Sequence, residues 1–413
     1  MQRLPFIALI SAVAALLATS HVSGQQKKDE NPFLTKSPPS RWDARREIHI
    51  FASDFVHRGA GGNRQAFTDT MTFNSVKVVA PMIQGCATAT LDIDRFETSL
   101  SFDHNDIDTE VELIPDLQCQ EQVGVWEGSR LQGRKMALKI EGPVTTYGVK
   151  INERAANSVQ WPTNGYPAEV ANCLEPQLFI ESDDPSVVGL MKKLTANNPQ
   201  GPPPYMVAKA LAGMVQEQFQ PSGAGTITHQ HGRFGAIEVD GAADAARKMK
   251  GSEPDMAALL CALYRAAGIP ARIVVGWDVA GSPGGRAHVP APNAVCRAIF
   301  DPDIASHAIM RTWVEFYLYD EPSQKGGWIP VDVFMLRQSS SRMGQLERLW
   351  DGFGGGMCFD HLVPITFHFV PPQTTIAAED PALWGWQPDP APQAIELELI
   401  FDAMTAVQRG KHR

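Results

Sequence analysis

The chain has little positive charge and no long basic runs. Its 413 residues include 36 Lys and Arg against 46 Asp and Glu, which gives a formal net charge of −10. Proteins that bind nucleic acid without sequence preference need clustered Lys and Arg to neutralise phosphates. The basic runs here are no longer than pairs such as Lys27-Lys28, so we expect no nucleic-acid partner.

Long apolar runs are also scarce, and the one that stands out follows Arg3. It reads "LPFIALISAVAALLA", and the small and polar stretch "TSHVSGQQKK" comes next. This run is short for a membrane span and has the three-part pattern of a secretory signal peptide. We expect residues 1–24 to be removed, leaving a secreted or periplasmic protein with no stable membrane span. An uncleaved signal anchor is the alternative.

The six cysteines include no CxxC motif and no spacing typical of a zinc site. We therefore expect no metal and no cofactor. An even number of cysteines in an exported protein permits disulfides. Pairing among Cys86, Cys119 and Cys173 is open, but the connectivity cannot be derived from the spacing.

The composition, with 44% hydrophobic and 20% charged residues, is that of an ordered globular protein. At 413 residues the chain is long enough for two domains. Short segments rich in Val, Ile, Thr and Phe are separated by turn residues up to about residue 180, and helical spacing follows. The pattern predicts a linker at 25–41, a β-rich domain at 42–180, a helix-and-strand core at 181–340 and a C-terminal extension at 341–413.

The stretch "GSEPDMAALLCALYRAAGIPARIVVGW", residues 251–277, predicts a helix followed by a strand. Ser252 is a good N-cap, and Asp255 stands at the spacing of a capping box. Apolar residues then recur three and four positions apart, which predicts a buried face. Gly268 ends the helix, and Pro270 prevents its continuation.

Three segments in this region resemble the transglutaminase-like (cysteine-protease-like) superfamily. They are "LYRAAGIPARIVVGW", "RTWVEFYL" and "GWIPVD", and the similarity is clear over residues 240–335. The resemblance implies an α+β fold, with a transglutaminase-like (papain-like) core behind an N-terminal all-β domain.

Members of this superfamily use a Cys at a helix N-terminus, a His on one strand and an Asp on the next. The helix dipole and an imidazolium lower the thiol pKa, while the carboxylate orients the imidazole. By alignment of the quoted segments, the Cys position holds Glu253, the His position holds Arg311, and Asp332 keeps its residue type. The resemblance thus assigns the catalytic positions to residues that form a degenerate triad.

The two replacements remove the chemistry but keep the pattern of charge. Glu253 is a poor nucleophile for acyl transfer, and Arg311 cannot exchange protons near pH 7 because its pKa exceeds about 12. Arg311 could still bridge Glu253 and Asp332 with its forked donors. We therefore expect a non-catalytic protein that binds a peptide or protein ligand in the former active-site cleft or through the β-rich domain.

A relocated nucleophile is the main alternative, and it would make the protein an amide-directed hydrolase or acyl transferase. Cys296 lies near His307 in the sequence, and Cys358 lies near His361. Cys261 falls about two turns inside the predicted helix and is expected to be a small core residue.

Two weaker options concern other chemistry. Glu253 and Asp332 could act as an acid–base pair on a glycoside, but a neighbouring Arg311 is expected to keep both carboxylates ionised. His229 and His231 form an HxH pair without a third ligand nearby in the sequence, so we expect polar loop residues and no metal site.

Overall fold

The structure is a computed structural model in which part of the chain is described. The described residues are 31–52, 70–116, 119, 121–196, 198–223, 225–228, 234–279, 296–298, 310–370, 383–391 and 395–405. The predicted signal peptide at 1–24 and the pair His229 and His231 lie outside them, so those two interpretations stay predictions. Within the described residues, no helix combines the length and the apolar character needed to cross a membrane.

Strands predominate at both ends of the chain, and the helices lie between them. The strands are β1 (Leu34–Lys36), β2 (Ser40–Ala52), β3 (Met71–Pro81), β4 (Gly85–Cys86), β5 (Ala89–Leu91), β6 (Glu97–Phe102), β7 (Asn105–Ile107), β8 (Glu112–Asp116), β9 (Glu121–Gly133), β10 (Lys135–Thr146), β11 (Val149–Ile151), β12 (Gln220–Pro221), β13 (Thr226–Thr228), β14 (Phe234–Ile237), β15 (Lys250–Gly251), β16 (Ala271–Asp278), β17 (Cys296–Ala298), β18 (Met310–Asp320), β19 (Lys325–Val331), β20 (Gly355–Gly356), β21 (Leu362–Thr366), β22 (Gly385–Asp389) and β23 (Ile395–Thr405). The helices are α1 (Glu153–Ser158), α2 (Ala168–Ala171), α3 (Pro185–Leu194), α4 (Pro204–Gln218), α5 (Ala242–Lys248), α6 (Glu253–Ala266) and α7 (Val333–Ser339). The predicted α+β class with a strand-rich N-terminal region is confirmed.

Two antiparallel sheets form the strand-rich N-terminal region. In one, β10 pairs with β2 and β6, and in the other β9 pairs with β3 and β8. Along β10 every second residue is buried, as expected for a strand with one face on the core. The sheets are joined by an edge-to-face contact between Phe73 and Phe102 and by a hydrogen bond of 3.3 Å from Trp126 Nε1 to Thr98 Oγ1.

The segment predicted as a linker, 25–41, contains regular structure from residue 31 onward. Leu34–Lys36 pair with β11, and β2 already begins at Ser40. Phe33 is buried in the core, which provides the apolar contact that holds this polar stretch against the fold.

Strands from the region predicted as a C-terminal extension complete sheets elsewhere in the chain. β23 pairs with β2 over eleven residues, from Trp42 opposite Thr405 to Ala52 opposite Ile395. β22 pairs with β3, and β21 pairs with β16. Residues 31–413 accordingly form one compact unit.

Helix α6 and a four-stranded sheet form the centre of the core region. The sheet has the order β19-β18-β16-β21, with all neighbours antiparallel. α6 contacts β16 and β18 as well as α3, α4 and α5, so the helix is covered on several sides. Tyr264 of α6 packs on Phe316 of β18, with ring centroids 5.4 Å apart. This contact places the C-terminal part of α6 against the middle of β18.

The predicted N-terminus of α6 is confirmed. The Ser252 side chain accepts a hydrogen bond from the Asp255 backbone N–H, and the Asp255 carboxylate accepts one from the Ser252 N–H. Asp255 also accepts hydrogen bonds from the backbone of Asp240 and Gly241, which precede α5. The capping box therefore ties the start of α6 to the neighbouring loop.

Candidate functional site

Glu253 is the first residue of α6, at the positive end of the helix dipole. Its Oε1 atom accepts a hydrogen bond of 3.2 Å from the backbone N–H of Thr312 on β18. The Glu253 side chain is 12% exposed, so it reaches solvent although most of its surface is covered. The helix end thus presents a carboxylate directly to the first residues of β18.

Arg311, the second residue of β18, lies between Glu253 and Asp332. Its Nε atom is 3.2 Å from Glu253 Oε1, which is an ionic contact without the alignment of a hydrogen bond. Its Nη2 atom donates a hydrogen bond to Asp332 Oδ2. The guanidinium also lies over the ring of Phe334, 5.3 Å from the centroid. Arg311 is 3% exposed, so these partners replace most of its water.

Asp332 follows β19 and caps the N-terminus of α7. Its Oδ1 atom accepts a hydrogen bond of 2.8 Å from the Met335 backbone N–H. Its other oxygen binds Arg311, and the side chain is only 1% exposed. Both carboxylate oxygens therefore have donors, and Asp332 is held inside the protein.

The structure brings together all three residues that the sequence assigned to the triad positions, and the expected contact between Glu253 and Arg311 is present. That they correspond to the superfamily's Cys, His and Asp stays a prediction.

Two carboxylates, Glu253 and Asp332, contact one guanidinium, and these charges shift the pKa values of Glu253 and Arg311. Burial raises the pKa of Glu253 to about 7; Arg311 opposes this rise, and the charge of Asp332 adds to it. For Arg311, burial acts to lower the pKa, but the charges of Asp332, Glu253 and Asp278 outweigh it and raise the pKa above its ordinary value. Glu253 is therefore the member of the group that changes charge near neutral pH.

This result corrects one expectation. Arg311 does not keep both carboxylates ionised, because the burial of Glu253 outweighs the attraction of the guanidinium. A glycosidase pair is nevertheless incompatible with the geometry. The carboxylates of such a pair flank the substrate, whereas here one guanidinium fills the space between Glu253 and Asp332.

Sequence reasoning missed the contributions of Asp278 and of the Thr312 backbone. Asp278 ends β16 and acts on the charges of both Glu253 and Arg311. The pairing of Gly276 with Arg311 places the end of β16 beside this group. An acidic residue directly after the "ARIVVGW" strand was the available signal, but strand order and register were needed to interpret it.

The cysteines considered as alternative nucleophiles have different outcomes. Cys261 is fully buried inside α6, and burial raises its pKa to about 11, as expected for a core residue. Cys296 lies in β17, but its side chain, the Cys358 side chain and His307 lie outside the described residues. His361 is 8% exposed, with Nε2 3.0 Å from Asp360 Oδ1. A relocated nucleophile at Cys296 or Cys358 stays an untested alternative.

Within the described part of the chain, no three or more His, Cys, Asp or Glu side chains are arranged around a common point as metal ligands.

Two solved structures resemble the chain at low sequence identity. Among solved structures, the chain is similar to a proposed cysteine protease from Cytophaga hutchinsonii, with 13% identity, a TM-score of 0.48, and coverage of 90% of this chain and 93% of that one. A proposed protease from Parabacteroides distasonis ATCC 8503 matches with 10% identity, a TM-score of 0.21, and coverage of 72% and 57%. At these TM-scores, neither likeness supports a conclusion about function.

No curated protein matches the chain. The family model described as the transglutaminase-like superfamily core matches residues 194–333. This segment contains Glu253, Arg311 and Asp332, together with α6 and the β16-β18-β19 strands. Residues 194–333 therefore form a transglutaminase-like core, and this part of the chain belongs to the transglutaminase-like superfamily.

Proposed function

We propose that this protein is an exported, non-catalytic member of the superfamily that binds a peptide segment of a ligand at the exposed part of the Glu253 side chain. The observation that supports this proposal most directly is the position of Arg311. Its guanidinium contacts Glu253 on one side and Asp332 on the other, where acyl transfer would need a thiol and a proton-exchanging imidazole.

The electrostatics of the site favour binding over turnover. A nucleophile must be free to form a covalent bond with the substrate, but Glu253 Oε1 is already held by the Thr312 N–H and Arg311. Arg311 keeps its proton because the surrounding carboxylates raise its pKa. The buried ion pairs consequently provide a fixed surface, and the guanidinium of Arg311 cannot take up a proton as an imidazole would.

Glu253 is the residue of the three best placed to meet a ligand. Its side chain is 12% exposed, against 3% for Arg311 and 1% for Asp332. A partly desolvated carboxylate forms strong hydrogen bonds with N–H donors, which peptides supply from their backbone and from Lys, Arg or amide side chains. The proposed ligand is therefore a peptide segment that donates hydrogen bonds to Glu253.

Export rests on the sequence pattern of residues 1–24. In a secreted or periplasmic location the ligands within reach would be proteins and peptides outside the cytoplasmic membrane.

The purified full chain is expected to show no acyl transfer and no amide hydrolysis. Incorporation of a fluorescent amine into casein and cleavage of fluorogenic peptides would both stay at the level of a heat-denatured sample, because no thiolate is present at the triad positions and Arg311 cannot exchange protons near pH 7. Turnover that persists through purification and is abolished by Cys296→Ser or Cys358→Ser would contradict the proposal and support a relocated nucleophile.

Peptide binding is tested by selection from a random peptide library displayed on phage, followed by measurement of Kd for the synthesised peptides. Glu253→Gln is expected to weaken binding by at least about tenfold, since it removes a charge-assisted hydrogen bond. The matched control is Glu127→Gln on β9, whose side chain is 69% exposed and distant in the sequence from the core, and it should leave Kd unchanged. Selected peptides that bind the parent and Glu253→Gln equally well would exclude Glu253 as part of their binding site.

A further inference from the structure

A mostly apolar pocket lies between the N-terminal strand region and the core sheet. Its volume is about 510 Å³, and it is partly open to solvent. Its walls include residues of β2, β10 and β23 from the first region and of β16 and β21 from the core sheet. None of Glu253, Arg311 and Asp332 lines it. Small-molecule sites occupy roughly 300–1,000 Å³, so this pocket is a candidate ligand site separate from Glu253.

Side chains of the hydrophobic core form most of the pocket wall. Ile83, Ile140 and Ile365 contribute to it, and each of them is buried. The rings of Trp277 and Phe401, which stack with centroids 4.7 Å apart, form another part. Because all five belong to the packed core, their neighbours hold them in place. The wall is therefore a preformed surface for an apolar group that would otherwise face water.

Arg46 of β2 adds a positive charge to this apolar wall. Its Nη2 atom donates a hydrogen bond to the carbonyl oxygen of Pro81 and a weaker one of 3.5 Å to Met82 Sδ. Among the described residues these two are its hydrogen-bond partners, and neither is a carboxylate. Burial lowers the pKa of Arg46 to about 10, and the charge of Glu121 opposes this effect only in part. At neutral pH the guanidinium is therefore a protonated, poorly hydrated cation.

Trp277 adds an unused hydrogen-bond donor to the same wall. Its side chain is 3% exposed, and its Nε1 atom is buried without an acceptor from the described residues. A buried N–H group that lacks an acceptor is unfavourable, and native structures contain few of them. A molecule with acceptor atoms, bound in this pocket, would bring such atoms to the wall that contains Trp277.

We propose that this pocket binds a free fatty acid, with the alkyl chain against the apolar wall and the carboxylate at Arg46. A guanidinium can bind both oxygens of a carboxylate with parallel N–H donors, so the ligand would supply the anionic acceptor that Arg46 lacks among its hydrogen-bond partners. A neutral alkyl molecule would cover the same apolar surface but leave the guanidinium without an anion. An alkylammonium ion would be repelled by Arg46 and Arg45, which both line the pocket.

The test measures binding of radiolabelled decanoate to the purified full chain by equilibrium dialysis, at concentrations below micelle formation. Unlabelled decanoate, decanol and decylamine, which share one alkyl chain and differ in the head group, serve as competitors. We expect saturable binding of one decanoate per protein. Decanol and decylamine should displace it only at concentrations at least about tenfold higher than decanoate, because only the carboxylate forms a charge-assisted contact with Arg46. Absence of saturable binding, or equal displacement by decanoate and decanol, would overturn the proposal.

Arg46→Met separates the role of the charge from that of the apolar wall. It should weaken decanoate binding by at least about tenfold and change decanol binding by less than about twofold, whereas a change in the shape of the pocket would weaken both. Arg154→Met on α1 is the matched control, since Arg154 is exposed and does not line the pocket, and it should leave both Kd values unchanged. Equal decanoate binding by the parent and Arg46→Met would contradict the proposal. If Arg46→Met does not fold, the preference of the parent for decanoate over decanol still decides the question.

Discussion

The Arg311→Met variant is expected to be less stable than the parent by about 3–5 kcal/mol, the usual cost of removing one partner from a buried ion pair. The reason is the burial of the groups left behind. Asp332 and Glu253 are 1% and 12% exposed, and both contact the guanidinium. Without Arg311, two carboxylates would face each other with little water. Urea unfolding of the parent and the variant near pH 8 gives the difference in free energy.

Glu253→Gln alone should behave differently. Arg311 would keep its contact with Asp332, and burial already disfavours the ionised form of Glu253. We therefore expect this variant to be as stable as the parent, or more stable, near pH 8. Added to Arg311→Met, the same change should recover part of the lost stability, because it removes one of the two uncompensated carboxylates.

The double variant should consequently lose clearly less than the sum of the two single changes. Strict additivity would mean that the two side chains do not meet. Arg95→Met is the matched control: Arg95 is 71% exposed, its nearest contact with Asp92 is 3.9 Å, and its replacement should change stability by less than about 0.5 kcal/mol.

The second large effect is a loss of stability as the pH rises through neutrality. Burial raises the pKa of Glu253 from its ordinary value of 4.5 to about 7. Between these values the folded protein holds a proton that the unfolded chain releases. The stabilisation from this group is complete below the unfolded pKa of 4.5 and is lost as the pH rises through 7. A shift of this size corresponds to at most about 3 kcal/mol.

The measurement is the free energy of unfolding of the parent and of Glu253→Gln at several pH values between about 4 and 8. The free energy of unfolding of the parent, relative to that of Glu253→Gln, should fall as the pH rises. Glu321→Gln is the control. The free energy of unfolding of the parent should not fall relative to that of this variant as the pH rises, because hydrogen bonds from the backbone and side chain of Thr163 and from Asn164 hold the pKa of Glu321 at about 2. Parallel pH curves for the parent and Glu253→Gln would show that folding does not raise the pKa of Glu253.

Local features of the fold were accessible from the sequence. The start of α6 is predictable because Ser252 and Asp255 stand at the spacing of a capping box. The burial of the helix is predictable from the helical spacing of its apolar residues. The strands of the N-terminal region were predicted for a similar reason, since alternation along a strand such as β10 is visible in the sequence itself.

The candidate site was accessible only in part. Glu253, Arg311 and Asp332 stand far apart in the sequence, and the resemblance to a superfamily brought them together. The position of Asp278 directly after the "ARIVVGW" segment is visible in the sequence, but its effect on the electrostatics of the site depends on strand register. The raised pKa of Glu253 cannot be predicted from the sequence either, because the sequence reveals the partner charge but not the amount of water that packing removes.

The pairing of β23 with β2 has a consequence for the order of events during synthesis. β2 lies near the start of the chain and β23 near its end, so the ribosome releases the two partners at widely separated times. Until the final strand arrives, the backbone N–H and C=O groups along that side of β2 have no β23 to bind. Exposed edges of this kind recruit strands from other chains. If the chain is exported as proposed, delayed folding would allow both strands to reach the same compartment before they pair.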